Sequence, residues 1–163
     1  PGQSALFDDL LRDAPGWDDV AWLQANTRLP VILKGILHPD DARQAASLQA
    51  GGVIVSNHGG RTLDSAPPTA EALPRIADAL AGALPLLVDG GIRRGTDILK
   101  AMALGANAVL VGKPYVFGLA NAGALGVAHV LRLLRDELEI AMALCGCATL
   151  DAIPAGLLGA GQP

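Results

Sequence analysis

Four short apolar runs constrain the fold of this chain more than any other feature. They cover residues 29–33, 52–55, 84–88 and 108–111, and each is rich in branched side chains. None of them alternates with polar positions, as a strand with one solvated face would. Runs of this length and composition are typical of parallel strands that are buried on both faces. The sequence therefore predicts a parallel sheet of four strands.

A helical pattern follows each apolar run, and this order fixes how the strands connect. The predicted helices cover residues 40–49, 69–80, 96–104 and 126–144. Pro39 stands at the start of the first helix, and Gly105 follows the third as a C-terminal cap. Four strand-then-helix units in succession imply an α/β fold with right-handed crossovers. A doubly wound sheet has this pattern, and so does half of a TIM (β/α)8 barrel, which needs about 250 residues in all.

Composition excludes several classes of function. The 163 residues carry a net charge of −4, and no basic stripe is present to neutralise a nucleic-acid backbone. No apolar run approaches the roughly 20 residues of a membrane helix. The two cysteines, Cys145 and Cys147, fit neither a disulfide framework nor a metal site. We therefore expect a cytoplasmic protein without a metal, a nucleic-acid partner or a membrane segment.

Polar residues cluster where each apolar run ends, which is where parallel α/β folds place their active sites. The first run ends in Lys34 and the second in residues 56–61. The third ends in residues 89–93, and the fourth in Gly112 and Lys113. The glycines among these residues would fit tight turns equally well. The neighbouring cations, Arg93 and Lys113, favour phosphate binding instead.

His58 is the candidate catalytic base. It lies two positions after Ser56, so both side chains point the same way from an extended strand end. Arg61 adds a bidentate carboxylate ligand to the same loop. Together they fit a small acid from which a neighbouring C–H or O–H proton must be removed. His38 at a helix start and His129 in a solvated helix are expected to be structural.

Four motifs together resemble those of the FMN-dependent α-hydroxy-acid oxidases and dehydrogenases. In chain order they are LPVILKG, VIVSNHGGRTLD, VDGGIRRGTDILKAMALGA and VLVGKPY. This family includes glycolate oxidase, lactate oxidase, mandelate dehydrogenase and flavocytochrome b2. The pairing of SNHGGR with DGGIR is far more specific than a single glycine-rich loop. The resemblance implies that residues 17–153 form strands five to eight of a TIM (β/α)8 barrel, with their helices.

The resemblance also implies a role for each polar residue at the strand ends. His58 would be the catalytic base and contact the substrate, and Arg61 would bind the substrate carboxylate. Lys34, which by itself could simply reach the solvated rim, would stabilise the reduced, anionic FMN. FMN would be bound by Lys34, Ser56, Asp89, Gly90, Gly91, Ile92, Arg93, Gly112 and Lys113. Lys113 departs from the family, which usually has arginine there, so we expect weaker phosphate geometry but the same reaction.

Several parts of the family's active site have no counterpart in this chain. The family's N-terminal half carries substrate-contacting tyrosines, a second carboxylate-binding arginine and an aspartate that partners the histidine. We therefore expect the N-terminal half of the same barrel as a partner, and further assembly into a homo-oligomer, a tetramer by resemblance. Residues 1–16 would be the end of the mobile loop before strand five, and residues 154–163 a C-terminal tail.

The predicted function is FMN-dependent oxidation of an (S)-2-hydroxy acid to a 2-oxo acid, active only with the N-terminal half. The α-hydrogen could leave as a proton or as a hydride, and the electron acceptor could be oxygen, a quinone or a cytochrome. One alternative is another FMN barrel enzyme, such as type 2 isopentenyl diphosphate isomerase. That chemistry does not need a base and a carboxylate ligand in this loop. A second alternative is a non-catalytic half-barrel that binds FMN phosphate or a partner chain.

Overall fold

The computed structural model describes residues 14–159, which fall into two compact units divided between Val31 and Ile32. The described part of the first unit contains the helix α1 (Trp17–Ala25). Its first turn is acidic, which suits the positive end of the helix dipole, and Asp19 accepts a hydrogen bond from the backbone N–H of Gly16 at 2.7 Å. The loop predicted for residues 1–16 and the tail end at 160–163 lie mainly outside the described residues.

The second unit contains a parallel sheet of four strands in the order β1-β2-β3-β4. The strands are β1 (Ile32–Ile36), β2 (Gly52–Val55), β3 (Leu86–Val88) and β4 (Ala108–Val109). The helices are α2 (Pro39–Ser47), α3 (Thr69–Leu80), α4 (Gly95–Ala103) and α5 (Lys113–Leu144), followed by 3-10 turns at Leu150–Ala152 and Ala155–Leu157. A helix follows every strand, so the predicted succession of four βα units is confirmed.

The sheet buries one of its faces more completely than the other. Parallel pairing places Val53 beside Leu86 and Val55 beside Val88, and all four side chains are buried. Helices α2, α3 and α4 contact the strands. On the opposite face, Ile54 is only partly buried, and the outer strands β1 and β4 are partly exposed. Within the described residues, the prediction of strands buried on both faces therefore holds for one face of the sheet and is wrong for the other.

Local signals set the helix ends as expected. Pro39 occupies the first position of α2, and the Nδ1 atom of His38 accepts a hydrogen bond from the backbone N–H of Asp40 at 3.2 Å. This contact agrees with the structural role expected for His38. After α4, Gly105 has a φ of +104°, and its N–H donates to the Met102 carbonyl at 3.0 Å. Each contact satisfies a backbone group that the helix end would leave unpaired.

Helix α5 begins 13 residues earlier than the predicted start at residue 126. Residues 114–125 contain almost no polar side chains, so no amphipathic pattern marks their helical conformation. The helix is broken at Ala122 and Gly123, where the backbone angles are not helical. A Cβ atom at Gly126 would lie 1.9 Å from the carbonyl oxygen of Gly118, so the two segments meet where only glycine fits.

By length and composition alone, α5 is the one helix within residues 14–159 that could cross a membrane. The expectation that no apolar run reaches this length is therefore wrong on composition, since glycine and alanine fill much of residues 118–128. Charged side chains crowd the C-terminal part of α5, so an 18-residue stretch with no more than two of them cannot extend beyond Arg135. Every such stretch therefore contains the break at Ala122 and Gly123. The apolar part of α5 is thus not one continuous helix of the roughly 20 residues that a span needs.

Candidate functional site

A pocket of about 620 Å³ lies at the carboxyl ends of the four strands. It is lined by almost all of the predicted site residues: Lys34, His58, Arg61, Asp89, Gly90, Gly91, Ile92, Arg93, Gly112 and Lys113. Ser56 is the exception, because its side chain is only 2% exposed and lies beneath the pocket wall. The fold therefore brings residues from four separate loops together at one end of the sheet.

Lys34 connects the ends of three strands. A bulge at Gly35 shifts the register between β1 and β2, and Gly35 has a φ of +102°, which glycine adopts without strain. The Nζ atom of Lys34 donates to Ser56 Oγ at 2.8 Å and pairs with Asp89 Oδ2 at 2.8 Å. The lysine thus places a positive charge at the floor of the pocket, between β2 and β3.

His58 is exposed and follows β2, which ends at Val55. Because the φ of His58 is +55° and Ser56 is buried, the expectation that both side chains point the same way from an extended strand end is wrong. The backbone N–H of His58 donates to Ser56 Oγ at 3.1 Å, so the buried serine fixes the histidine main chain. Within residues 14–159 the imidazole ring has no hydrogen bond or ion pair. A ring with both nitrogens available can accept a proton and can also receive a partner from outside this chain.

The pocket carries an excess of positive charge. Arg61, Arg93 and Lys113 line it, and none of them has a carboxylate partner in the part of the chain that the structure describes. Asp89, the one carboxylate that lines the pocket within residues 14–159, is already paired with Lys34. Unpaired cations that converge on one cavity are suited to anionic groups such as a carboxylate or a phosphate.

The glycines and Asp89 leave room and bonding capacity for a ligand. A Cβ atom at Gly91 or Gly112 would have no neighbour within 4 Å, so a bound group can approach the backbone there. The Oδ1 atom of Asp89 is buried and has no hydrogen-bond partner among the described residues. Because a buried acceptor without a donor is costly, this atom fits a ligand that carries hydroxyl groups. A phosphate joined to a polyhydroxy chain, as in FMN, would satisfy both features.

An apolar wall of the pocket was missed by the sequence prediction. It consists of Leu110, Pro114, Tyr115, Val116 and Phe117, and Phe117 is 70% exposed. Most of these residues lie in the first turns of α5, which the sequence pattern placed in a loop. For residues 114–117, the sequence signal that could have identified them is their position directly after Gly112 and Lys113.

The second segment of α5 holds the start of α4, which follows the loop at residues 89–93. The Oε2 atom of Glu137 accepts a hydrogen bond from the backbone N–H of Gly95 at 2.8 Å, and its Oε1 atom pairs with Arg94 at 2.9 Å. The N–H of Gly95, followed by the Arg94 guanidinium, lowers the pKa of Glu137. A Cβ atom at Gly95 would lie 2.1 Å from the backbone N of Leu138, so the two helices touch at this glycine.

The chain is similar in sequence to one known enzyme family. The family model described as FMN-dependent dehydrogenase matches residues 1–160. An L-lactate oxidase from Alicycliphilus denitrificans is 55% identical over 93% of this chain and 42% of that protein. A peroxisomal (S)-2-hydroxy-acid oxidase from Oryza sativa is 56% identical over 84% of this chain and 37% of that protein. The chain thus spans less than half the length of these relatives.

Solved structures give the same result for the fold. Mandelate oxidase with (S)-2-phenylpropionate has a TM-score of 0.85 and 52% identity, covering 86% of this chain and 42% of that one. A mandelate oxidase variant with a monooxide FMN adduct has the same score and identity, covering 86% and 45%. With the parallel βα units, this coverage confirms the predicted partial (β/α)8 barrel.

Proposed function

Because this chain belongs to the FMN-dependent dehydrogenase family, we propose that, with the rest of its barrel, it oxidises an (S)-2-hydroxy acid to a 2-oxo acid with FMN as cofactor. One observation carries the proposal: the pocket contains His58 together with Arg61, Arg93 and Lys113, and none of these side chains has a partner within residues 14–159. The names of the relatives, L-lactate oxidase and (S)-2-hydroxy-acid oxidase, support the substrate class. They are oxidases, which favours oxygen as the electron acceptor.

The residues at the strand ends fit FMN in two places. Arg93, Lys113 and the open backbone at Gly91 and Gly112 would hold the phosphate, and the buried Oδ1 atom of Asp89 would accept a hydrogen bond from a hydroxyl of the cofactor. Bound FMN supplies the two-electron acceptor that the side chains themselves lack.

Ser56 and Lys34 would contact the cofactor from the floor of the pocket. The Oγ atom of Ser56 accepts hydrogen bonds from Lys34 Nζ and from the backbone N–H of His58. Because both contacts use the oxygen as an acceptor, the hydroxyl hydrogen remains free to donate upward. Lys34 holds a positive charge where the cofactor would become anionic, which lowers the energy of the reduced state.

His58 and Arg61 would act on the substrate. Oxidation of a CH–OH group to a carbonyl removes two protons and two electrons from the substrate; His58 takes one proton, and the electron pair would pass with the other to FMN. His58 accepts one hydrogen as a proton on its free imidazole, and the guanidinium of Arg61 holds the carboxylate through two parallel hydrogen bonds. This pairing orients the α-carbon relative to the base. The α-hydrogen itself leaves either as the proton that His58 accepts or as a hydride.

The rest of the barrel would complete the site. Among residues 14–159, Ile54 on the less covered face of the sheet is only partly buried and His58 is exposed, and a closed barrel would cover both. The relatives contain the additional length, since this chain covers 42% of the L-lactate oxidase. We propose the N-terminal half of the same barrel as the partner, and a cytoplasmic homo-oligomer remains our prediction for the assembled protein.

The test uses the holoenzyme, meaning this chain with the remaining barrel and bound FMN. Anaerobic addition of L-lactate, glycolate or (S)-mandelate is expected to bleach the oxidised-flavin absorbance. His58→Gln is expected to retain FMN but to slow bleaching by about 100-fold to 10,000-fold, the usual range for loss of a general base. His129→Gln, at an exposed position on α5, is the matched control and should behave as the wild type.

Two results would contradict the proposal in different ways. A wild-type rate in His58→Gln would exclude His58 as the base. A yellow wild-type protein that no 2-hydroxy acid bleaches would favour the non-catalytic flavin-binding half-barrel instead.

A further inference from the structure

The backbone around His58 adopts a conformation that histidine does not favour. Three consecutive residues, His58, Gly59 and Gly60, have φ angles of +55°, +68° and +73°. Glycine enters this left-handed region freely, whereas the Cβ atom of histidine makes it unfavourable. Such a turn persists only when surrounding contacts hold it. The turn that presents His58 to the pocket therefore needs a neighbour that fixes it.

The side-chain amide of Asn57 makes contacts at both ends of this loop. Its Oδ1 atom and its own carbonyl accept the N–H of Gly60 at 3.2 and 3.0 Å. Its Nδ2 atom donates to the carbonyl of Pro67 at 3.3 Å. Pro67 lies just before α3, so one amide closes the whole loop that carries His58 and Arg61.

The same amide lies beside the loop that follows β3. A Cβ atom at Gly90 would lie 3.7 Å from Asn57 Oδ1 and 3.1 Å from Thr69 Oγ1. Thr69 is buried, and its Oγ1 donates to the carbonyl of Asp89 at 2.7 Å. Asn57 thus packs between the loop that carries His58 and the start of the loop at residues 89–93, and it does not line the pocket itself.

We propose that Asn57 is a positioning residue for catalysis, which fixes the strained turn at His58 and thereby sets the distance between base and substrate. This inference rests on the proposed function, because it assumes that His58 is the base. An amide is required at this position, since the Gly60 contact needs an acceptor and the Pro67 contact needs a donor. Aspartate keeps only the acceptor, and alanine keeps neither.

The experiment compares three variants of the FMN-loaded holoenzyme with the wild type in steady-state turnover of L-lactate, glycolate or (S)-mandelate. Asn57→Ala is expected to lower kcat by about 100-fold, because a small misplacement of a catalytic group costs that much. KM and FMN affinity should change less than about threefold, and Asn57→Asp should recover part of kcat. Asn107→Ala is the matched control: the Oδ1 atom of Asn107 accepts the N–H of Leu86 at 2.8 Å at the start of β3, at the opposite end of the sheet.

The outcomes separate this inference from the proposed function. An active wild type with a low kcat in Asn57→Ala and a normal kcat in Asn107→Ala supports it. Equal kcat values in Asn57→Ala and Asn107→Ala overturn it, as does a change confined to KM or FMN affinity. If Asn57→Ala does not fold, Asn57→Asp decides, and a wild-type kcat there overturns the inference. A wild type that oxidises no 2-hydroxy acid overturns the proposed function first, and this inference with it.

Discussion

Replacing Gly95 with alanine would add a methyl group where α4 touches α5. The new Cβ atom would lie 2.1 Å from the backbone N of Leu138 and 2.4 Å from the backbone C of Glu137. Ordinary contact begins near 3.4 Å, so the helices would have to separate by about 1.3 Å at this point. Because the neighbours are main-chain atoms, no side-chain rotation can relieve the overlap.

The cost follows from this geometry. Overpacking of a well-packed site costs about 1–3 kcal/mol, and a clash with backbone belongs at the upper end, about 3 kcal/mol. Alanine regains less than the roughly 1 kcal/mol that it gains in a helix interior, because Gly95 is the first residue of α4, so the net loss stays at about 2–3 kcal/mol. Separation of the helices would also lengthen the 2.8 Å hydrogen bond from the Gly95 N–H to Glu137. Since Gly95 follows the loop at residues 89–93, we expect weaker FMN binding as well.

The assay is urea unfolding of the holoenzyme, together with FMN affinity measured by the quenching of flavin fluorescence. Gly156→Ala is the matched control, because a Cβ atom there meets nothing within 4 Å and its φ is not positive. We expect the control to change the unfolding free energy by less than about 0.5 kcal/mol. If Gly95→Ala were as stable as Gly156→Ala and bound FMN equally well, the close contact between α4 and α5 would be refuted.

Three further predictions concern charges. Arg61→Lys should raise KM and lower kcat in steady-state assays, because a point charge replaces a bidentate ligand; a change in FMN affinity alone would assign Arg61 to the cofactor. Lys34→Met should lower the flavin midpoint potential in a redox titration, because positive charge beside the reduced state is lost; an unchanged potential would make Lys34 a rim residue. The Gly95 N–H and the Arg94 guanidinium lower the pKa of Glu137 in the folded state. The contribution of Glu137 to stability is therefore present above its unfolded-state pKa and is lost as the pH falls through its folded-state pKa. The unfolding free energy of Glu137→Gln should therefore depend less on pH in the acidic range than that of the wild type. An identical pH dependence would show that ionised Glu137 does not stabilise the folded state.

The local sequence was sufficient for much of the architecture. The predicted bounds of β2 and α3 agree with the structure residue for residue, because Gly or Pro marks the start of each element. The residues at the strand ends could be chosen for a site from sequence as well, because parallel strands bring their carboxyl ends to one edge. The base, the carboxylate ligand and the phosphate ligands were proposed from residue chemistry, the role toward FMN came from the motif resemblance, and all of these roles remain predictions.

Only the tertiary structure decided how these residues are held. Ser56 lies beneath Lys34, 22 positions away, and the carboxylate of Glu137 meets the N–H of Gly95 across 42 positions. The amide of Asn57 closes a loop whose far end is ten residues away. Hydrophobic periodicity reports which side of an element faces the core, but it carries no information about which distant polar groups come within hydrogen-bond distance. The sequence therefore determined the order of the elements and the candidate chemistry, whereas the packing of distant segments determined the orientation of each functional group.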